Sequence, residues 1–175
     1  MAGLFTSIGA QAFKRNPMYT VGKKMRKVNS KFTVQTTGAN GDQYVLAGPL
    51  NLDDRISRIY TQSMAALTSA TNANLGFYYS KDGLATQAGL APVKASGGNE
   101  LWSGVSLATA VTTFLDVLTN KNSSLDNTKS IRDLLNLGPD MQPSGGVYLV
   151  LTLPTANTAG GTVDLDIEIE EATTR

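Results

Sequence analysis

The chain contains no histidine and no cysteine. Those two absences remove a large part of catalytic chemistry. Neither a Ser-His-Asp nor a Cys-His arrangement can be built from this sequence. Zinc, iron and copper sites that rest on imidazole or thiolate are excluded with them. No disulfide can form, so cysteine usage is silent on the redox compartment. The 17 glycines are scattered, with Gly76 alone before Phe77, and none form a P-loop or a dinucleotide fingerprint. No apolar run reaches the roughly 20 residues that cross a bilayer. Met1 to Phe13 lacks the leading positive charge and the unbroken apolar stretch of a secretory signal. The expectation is a protein without cofactor, without a metal site and without a membrane partner.

Acidic residues are missing from the start of the chain: the first is Asp42. Before it stand seven basic residues, Lys14, Arg15, Lys23, Lys24, Arg26, Lys27 and Lys31. The remainder holds eight basic and fourteen acidic residues, a net of −6, so the overall charge of +1 conceals a division. Five of the acids fall within 164–171. In 1–13, Leu4, Phe5, Ile8, Ala12 and Phe13 recur at spacings that suit a short amphipathic helix, broken at Asn16-Pro17. The reading is an extended basic arm over 1–30, a single body over 31–171 and a tail over 172–175.

The 175 residues suit one core, and abundant Gly, Thr, Ser and Asn favour short strands and turns. Lys31 to Thr37 reads as a first strand, Gly38 to Gly41 as a turn, and Gln43 to Ala47 as a second strand stopped by Gly48-Pro49; the pair suggests a hairpin. Asn51 to Leu67 is ambiguous. Leu52, Ile56, Ile59, Tyr60, Met64 and Leu67 fit a helical stripe, yet Arg55 to Gln62 also suits a bulged strand, which is preferred. Asn74 to Ser80 reads as a strand closed by a turn at Lys81-Asp82-Gly83, with a long surface loop after it. Leu107, Val111, Phe114, Leu115 and Leu118 fall on one helical face, so a short helix or a mixed segment is expected there. A second short helix is expected over Ser130 to Leu137, ended by Gly138-Pro139. Val147 to Leu153 is nearly all apolar and should be a central strand. After a turn region, Val163, Leu165, Ile167 and Ile169 alternate with Asp164, Asp166, Glu168 and Glu170. That strict period of two gives one apolar and one acidic face. The fold class is therefore mainly β, an antiparallel β-sandwich or jelly roll with one or two short helices and an extended N-terminal arm.

Three constellations carry functional alternatives. The acidic face could be a cation site or a glycosidase pair, since residues i and i+2 lie roughly 6.5–7 Å apart on a strand. The simpler reading is a solvated outer face that keeps an edge strand from pairing; a third is attraction to a basic partner such as another copy's arm. The arm could bind nucleic-acid phosphates, but only Phe13 and Tyr19 lie near its charges to stack on bases. It could be a solubilising tail. The preferred reading is an arm that orders on a protein partner, with Leu4, Phe5 and Ile8 as its anchor and Lys14, Arg15, Lys23, Lys24, Arg26 and Lys27 as its charged part. Trp102 suits a core or loop-packing position better than an interface.

Three segments carry a resemblance: LNLDDRISRIY (Leu50 to Tyr60), NLGFYYSKDG (Asn74 to Gly83) and GGVYLVLTLPTANTAGGTVDLDIEIE (Gly145 to Glu170). Together they resemble small virion proteins of tailed bacteriophages, of the capsid cement or decoration type with a jelly-roll fold. The resemblance covers 31–171; the arm matches no pattern of that family. It implies a non-enzymatic protein of the phage head that binds the major capsid protein, often as a homotrimer across capsomer junctions. A place at the head–tail junction or on a fibre, nucleic-acid binding through the arm, and a carboxylate hydrolase using Asp166 and Glu168 are the alternatives.

Overall fold

A computed structural model describes residues 4–6, 18–20, 23–36, 38–68, 70, 72–80, 90–94, 97–111, 115–116, 128–141, 143, 145–155, 158 and 160–172. In chain order the strands are β1 (Leu4–Thr6), β2 (Met18–Thr20), β3 (Lys23–Val34), β4 (Asp42–Leu50), β5 (Arg55–Met64), β6 (Ala73–Ser80), β7 (Leu90–Pro92), β8 (Trp102–Val105) and β9 (Leu115–Asp116). A single helical turn, α1 (Ile131–Leu134), precedes β10 (Val147–Leu153) and β11 (Gly161–Glu171). They form two sheets. Sheet I has the order β1-β4-β10-β6-β7, with β8 also on β6; sheet II has the order β2-β3-β11-β5-β9. Every ladder is antiparallel except β1 on β4, which is parallel. The expected β-sandwich is thus observed.

The pairing is nested. β3 pairs with β11, β4 with β10, β5 with β9, and β6 with β7 and β8. The chain changes sheet at each step from β3 to β6 and again from β9 to β11. Side chains from the two inner faces meet as one core, because strand side chains alternate and each sheet turns its apolar set inward. Val28, Phe32 and Val34 of β3 and Val163, Leu165, Ile167 and Ile169 of β11 face Leu46, Leu75, Phe77, Leu149 and Leu151 of sheet I. Phe32 stacks on Tyr44 across the layers, with ring centroids 4.9 Å apart.

Several expectations hold. β10 lies between β4 and β6 with all seven residues buried, as an apolar run requires. β11 buries Val163, Leu165, Ile167 and Ile169. β5 is a strand with two register shifts, which place extra residues at Ser57 and Gln62. Those bulges stretch the buried spacing to Ile56, Ile59, Thr61 and Met64, so a strand imitates a helical stripe. α1 carries the expected N-cap: Ser130 and Asp133 form a capping box. The turn ends with Asn136 at φ 50°, ahead of Gly138.

Others are corrected. The expected hairpin of 31–37 with 43–47 does not form; β3 and β4 belong to different sheets, and Gly38 to Gly41 carries the chain between them. β4 is not stopped at Gly48-Pro49 but runs to Leu50, with a cis Gly48-Pro49 bond and register shifts beside it. Gly48 has φ 147°, and a Cβ there would lie 2.4 Å from Tyr148 Cδ1, so only glycine fits. Of the short helix or mixed segment expected around 107–118, the described residues show no helix. Leu107 exchanges hydrogen bonds with Leu67 and Ala70, Val111 with Met64, and β9 pairs with β5. Contacts recurring every four residues along a loose sheet edge produced the helical spacing. Leu90–Pro92, expected as loop, is β7. The turn at Lys81-Asp82-Gly83, Phe114 and Leu118 lie outside the described residues.

The largest correction concerns the arm. Its expected end at residue 30 falls inside β3, a strand of 12 residues paired along its length with β11. Lys23 to Ser30, read as arm, thus lie within sheet II. The pattern hid this because the inward positions Arg26 and Ser30 are polar, so clean alternation starts only at Val28 and is interrupted.

Candidate interaction surfaces

The basic cluster and the acidic strand meet within one chain. β3 and β11 are register partners, with Lys31 opposite Asp164, Lys27 opposite Glu168, Arg26 opposite Ile169 and Lys24 opposite Glu171. Lys27 Nζ reaches diagonally to Asp166 Oδ2 at 2.9 Å, and Lys31 Nζ lies 3.8 Å from Asp164 Oδ2. At the strand end Glu171 receives Lys24 at 3.7 Å and Arg26 Nε at 3.5 Å. The acidic strand is not at an edge, as the solvated-face reading supposed: β11 sits between β3 and β5. Its charges shape a polar outer face for sheet II, and they select the register of β3, since like charges opposite would repel.

Asp166 is the most enclosed of these acids, 5% exposed. Asn29 donates to it at 3.1 Å, and Gln62, freed to reach by its bulge, donates a further hydrogen bond. Asn29 also donates to Asp164 at 2.8 Å. Burial alone would push the Asp166 carboxyl up, but the hydrogen bonds from Lys27, Asn29 and Gln62 and the Lys27 charge together hold it below the usual carboxylate range. A glycosidase general acid needs the opposite shift. Asp166 is therefore unsuited to the general-acid role of such a pair. Among the described residues no group of three acids is placed to hold a metal ion.

Sheet I has a different outer face. Val45, Tyr78, Leu90, Tyr148 and Val150 form a second buried apolar cluster there. The loop at 97–100 lies against it. A Cβ on Gly76 would meet Glu100 Oε2 at 2.2 Å, and one on Gly98 would meet Tyr78 Oη at 2.3 Å, so two glycines permit the close approach. β6 is paired by β8 below and β7 above, which leaves a gap at Gly76-Phe77. Glu100 fills it: its carboxylate accepts from Phe77 N and Gly98 N, both at 3.0 Å, in place of a neighbouring strand's carbonyl. Tyr78 Oη shares a hydrogen bond of 3.0 Å with Thr152 Oγ1. Burial, offset by that bond and reinforced by the Glu100 charge, raises the Tyr78 phenol. Trp102 is 4% exposed in the main core, the packing role expected for it.

Of the predicted arm residues, Leu4 and Phe5 lie on β1, at the edge of sheet I beside Gln43 and Tyr44. Lys23, Lys24, Arg26 and Lys27 lie on β3. Ile8, Lys14 and Arg15 lie outside the described residues. Because β3 packs against β4 through Phe32 and Tyr44, β1 on β4 and β2 on β3 flank the same side of the sandwich. Sequence reasoning missed Arg132, 14% exposed, which orders the loop after α1: it pairs with Asp53 at 2.9 Å and donates to the carbonyls of Gly138, Pro139 and Met141 at 2.8–3.2 Å.

No protein-family model matches the chain, and no curated protein matches its sequence. Solved structures do share its fold. A chain of the Cyanophage Pam1 capsid asymmetric unit superposes with TM-score 0.51 at 12% identity, over 93% of this chain and 96% of that one. A chain in the capsid of Ralstonia phage GP4 does so with TM-score 0.50 at 13% identity, over 98% and 99%. The likeness is one of fold, and it is end to end.

Proposed function

We propose that the chain is a non-enzymatic virion structural protein: a cement, or decoration, protein that binds the major capsid protein and stabilises a phage head as a homo-oligomer, a trimer in the simplest case. The observation that carries this is the end-to-end likeness to chains of two phage capsids, covering 93% and 98% of this chain. Nested pairing around two sheets supports the jelly-roll form of the sandwich. Its place is then the phage head. The reading of the arm contracts to residues 1–22, with Leu4, Phe5 and Ile8 as its apolar anchor and Lys14 and Arg15 as its charges. Nucleic-acid binding loses support, because Lys24, Arg26, Lys27 and Lys31 already face carboxylates of β11.

The test is occupancy of phage heads by the full chain and by a variant lacking residues 1–22. Saturable binding of the full chain, reduced at least tenfold in the shortened one, is expected. No binding of the full chain overturns the cement role; equal binding by both overturns the role of the arm. A place at the head–tail junction instead gives labelling confined to one vertex in electron micrographs.

A further inference from the structure

We propose that β1 seats on β4 of a second copy, so that neighbouring copies exchange their first strand. The contact is in the structure within one chain: Leu4, Phe5 and Thr6 pair in parallel with Gln43, Tyr44 and Val45. Without β1, β4 would be the edge of sheet I, with a row of backbone donors and acceptors open to another strand. The same contact can be made by an identical β1 from a neighbour, because the local interactions do not depend on which copy supplies the strand.

The linker's length allows both arrangements. Three paired residues hold β1 weakly. Each hydrogen bond contributes about 0.5–1.5 kcal/mol net, against about 1–2 kcal/mol for ordering each residue's backbone. The link to the body therefore sets occupancy through effective concentration. Eleven residues separate Thr6 from Met18, where β2 fixes the chain on β3. Extended, such a linker reaches about 40 Å. The route inside one copy is shorter. Phe32 of β3 stacks on Tyr44 of β4, and Met18 pairs with Met25. The span is therefore about seven residues of strand and one intersheet spacing, roughly 25 Å. The surplus of about 15 Å is enough to carry β1 across a contact to the β4 edge of an adjoining body. This names the surface that would join copies in the proposed assembly, and it rests on that reading for the presence of a neighbour.

The test uses the isolated full chain, so its outcome is separate from head binding. The protein has no cysteine of its own. Thr6→Cys and Val45→Cys are made in separate copies carrying different tags, co-produced in one cell, purified and oxidised. Exchange yields a disulfide-linked species containing one chain of each kind, in roughly half of the molecules if arms distribute at random around a closed ring. The Thr6→Cys, Val45→Cys double variant then gives covalent ladders of several chain masses. A double variant that closes only within its own chain, with no mixed species in the co-production, overturns the proposal. Leu4→Cys with Gln43→Cys, another pair of the same register, guards against misfolding of the first pair; no mixed species in either folded pair overturns it as well.

Discussion

β10 and β11 are neighbours in the chain and occupy equivalent places, each the strand flanked on both sides in the middle of its sheet. They differ on their outer faces. β10 turns Tyr148 and Val150 outward and both are buried, under the cluster that Leu90 and Tyr78 complete. β11 turns Asp164, Asp166, Glu168 and Glu170 outward, and what covers Asp166 is the side chains of its own sheet. The difference is one of energy as well as of chemistry. Burying an apolar side chain contributes about 1.5–3 kcal/mol; an exposed ion pair contributes about 0–1 kcal/mol. The outer face of sheet I is therefore part of what holds the protein together. The outer face of sheet II mainly sets strand register and keeps that side wetted.

A charge placed on the covered face should break this comparison most severely. Val150→Asp buries a carboxylate that has no partner, and a loss of about 4 kcal/mol or outright unfolding is expected in urea denaturation. A loss under 1 kcal/mol would mean the face is open. Gly76→Ala comes next. Its Cβ would sit 2.2 Å from Glu100 Oε2 and 2.3 Å from the Gly98 carbonyl carbon. Displacing the loop should cost about 2–3 kcal/mol and expose bonds around 97–100 to protease, which limited proteolysis reads directly.

On the other face the effects shrink. Asp166→Asn removes the charge that Lys27 and two amides address, and about 1–2 kcal/mol is expected at neutral pH. Its folded pKa is depressed, so its contribution is fully present above the unfolded value near 3.9 and is lost as pH falls through the folded one. Acid titration of stability should thus be shallower in the variant than in the parent; parallel curves would contradict the assignment. Lys31→Ala loses one pair at 3.8 Å from a lysine 58% exposed, and a change below about 0.5 kcal/mol is expected by the same measurement.

How much of this was legible in the sequence follows from where each signal lies. β11 was readable because its alternation is unbroken, and β10 because a buried central strand needs no polar face. β5 was recoverable once bulges were admitted. β3 was not, since Arg26 and Ser30 occupy inward positions and its partner strand lies more than a hundred residues away. Complementary charges on Lys27, Lys31, Asp164 and Asp166 are visible in the sequence, which leaves open whether they pair within a copy or between copies. The structure makes that pairing within one chain. The outer cluster of sheet I was illegible for another reason: its residues come from β4, β6, β7 and β10, and only the topology collects them. Glu100 gave no local sign, because its role is to fill a gap between two strands that sequence cannot align.

The proposed place in the phage head is tested most directly by an electron cryomicroscopy map of purified tailed-phage heads assembled in the presence of this chain. We expect two-sheet density that fits residues 23–172, repeated at symmetry-related positions on the outside of the coat with the β1 edge of sheet I turned toward a neighbouring copy. A head whose coat is complete and carries no such density would contradict it.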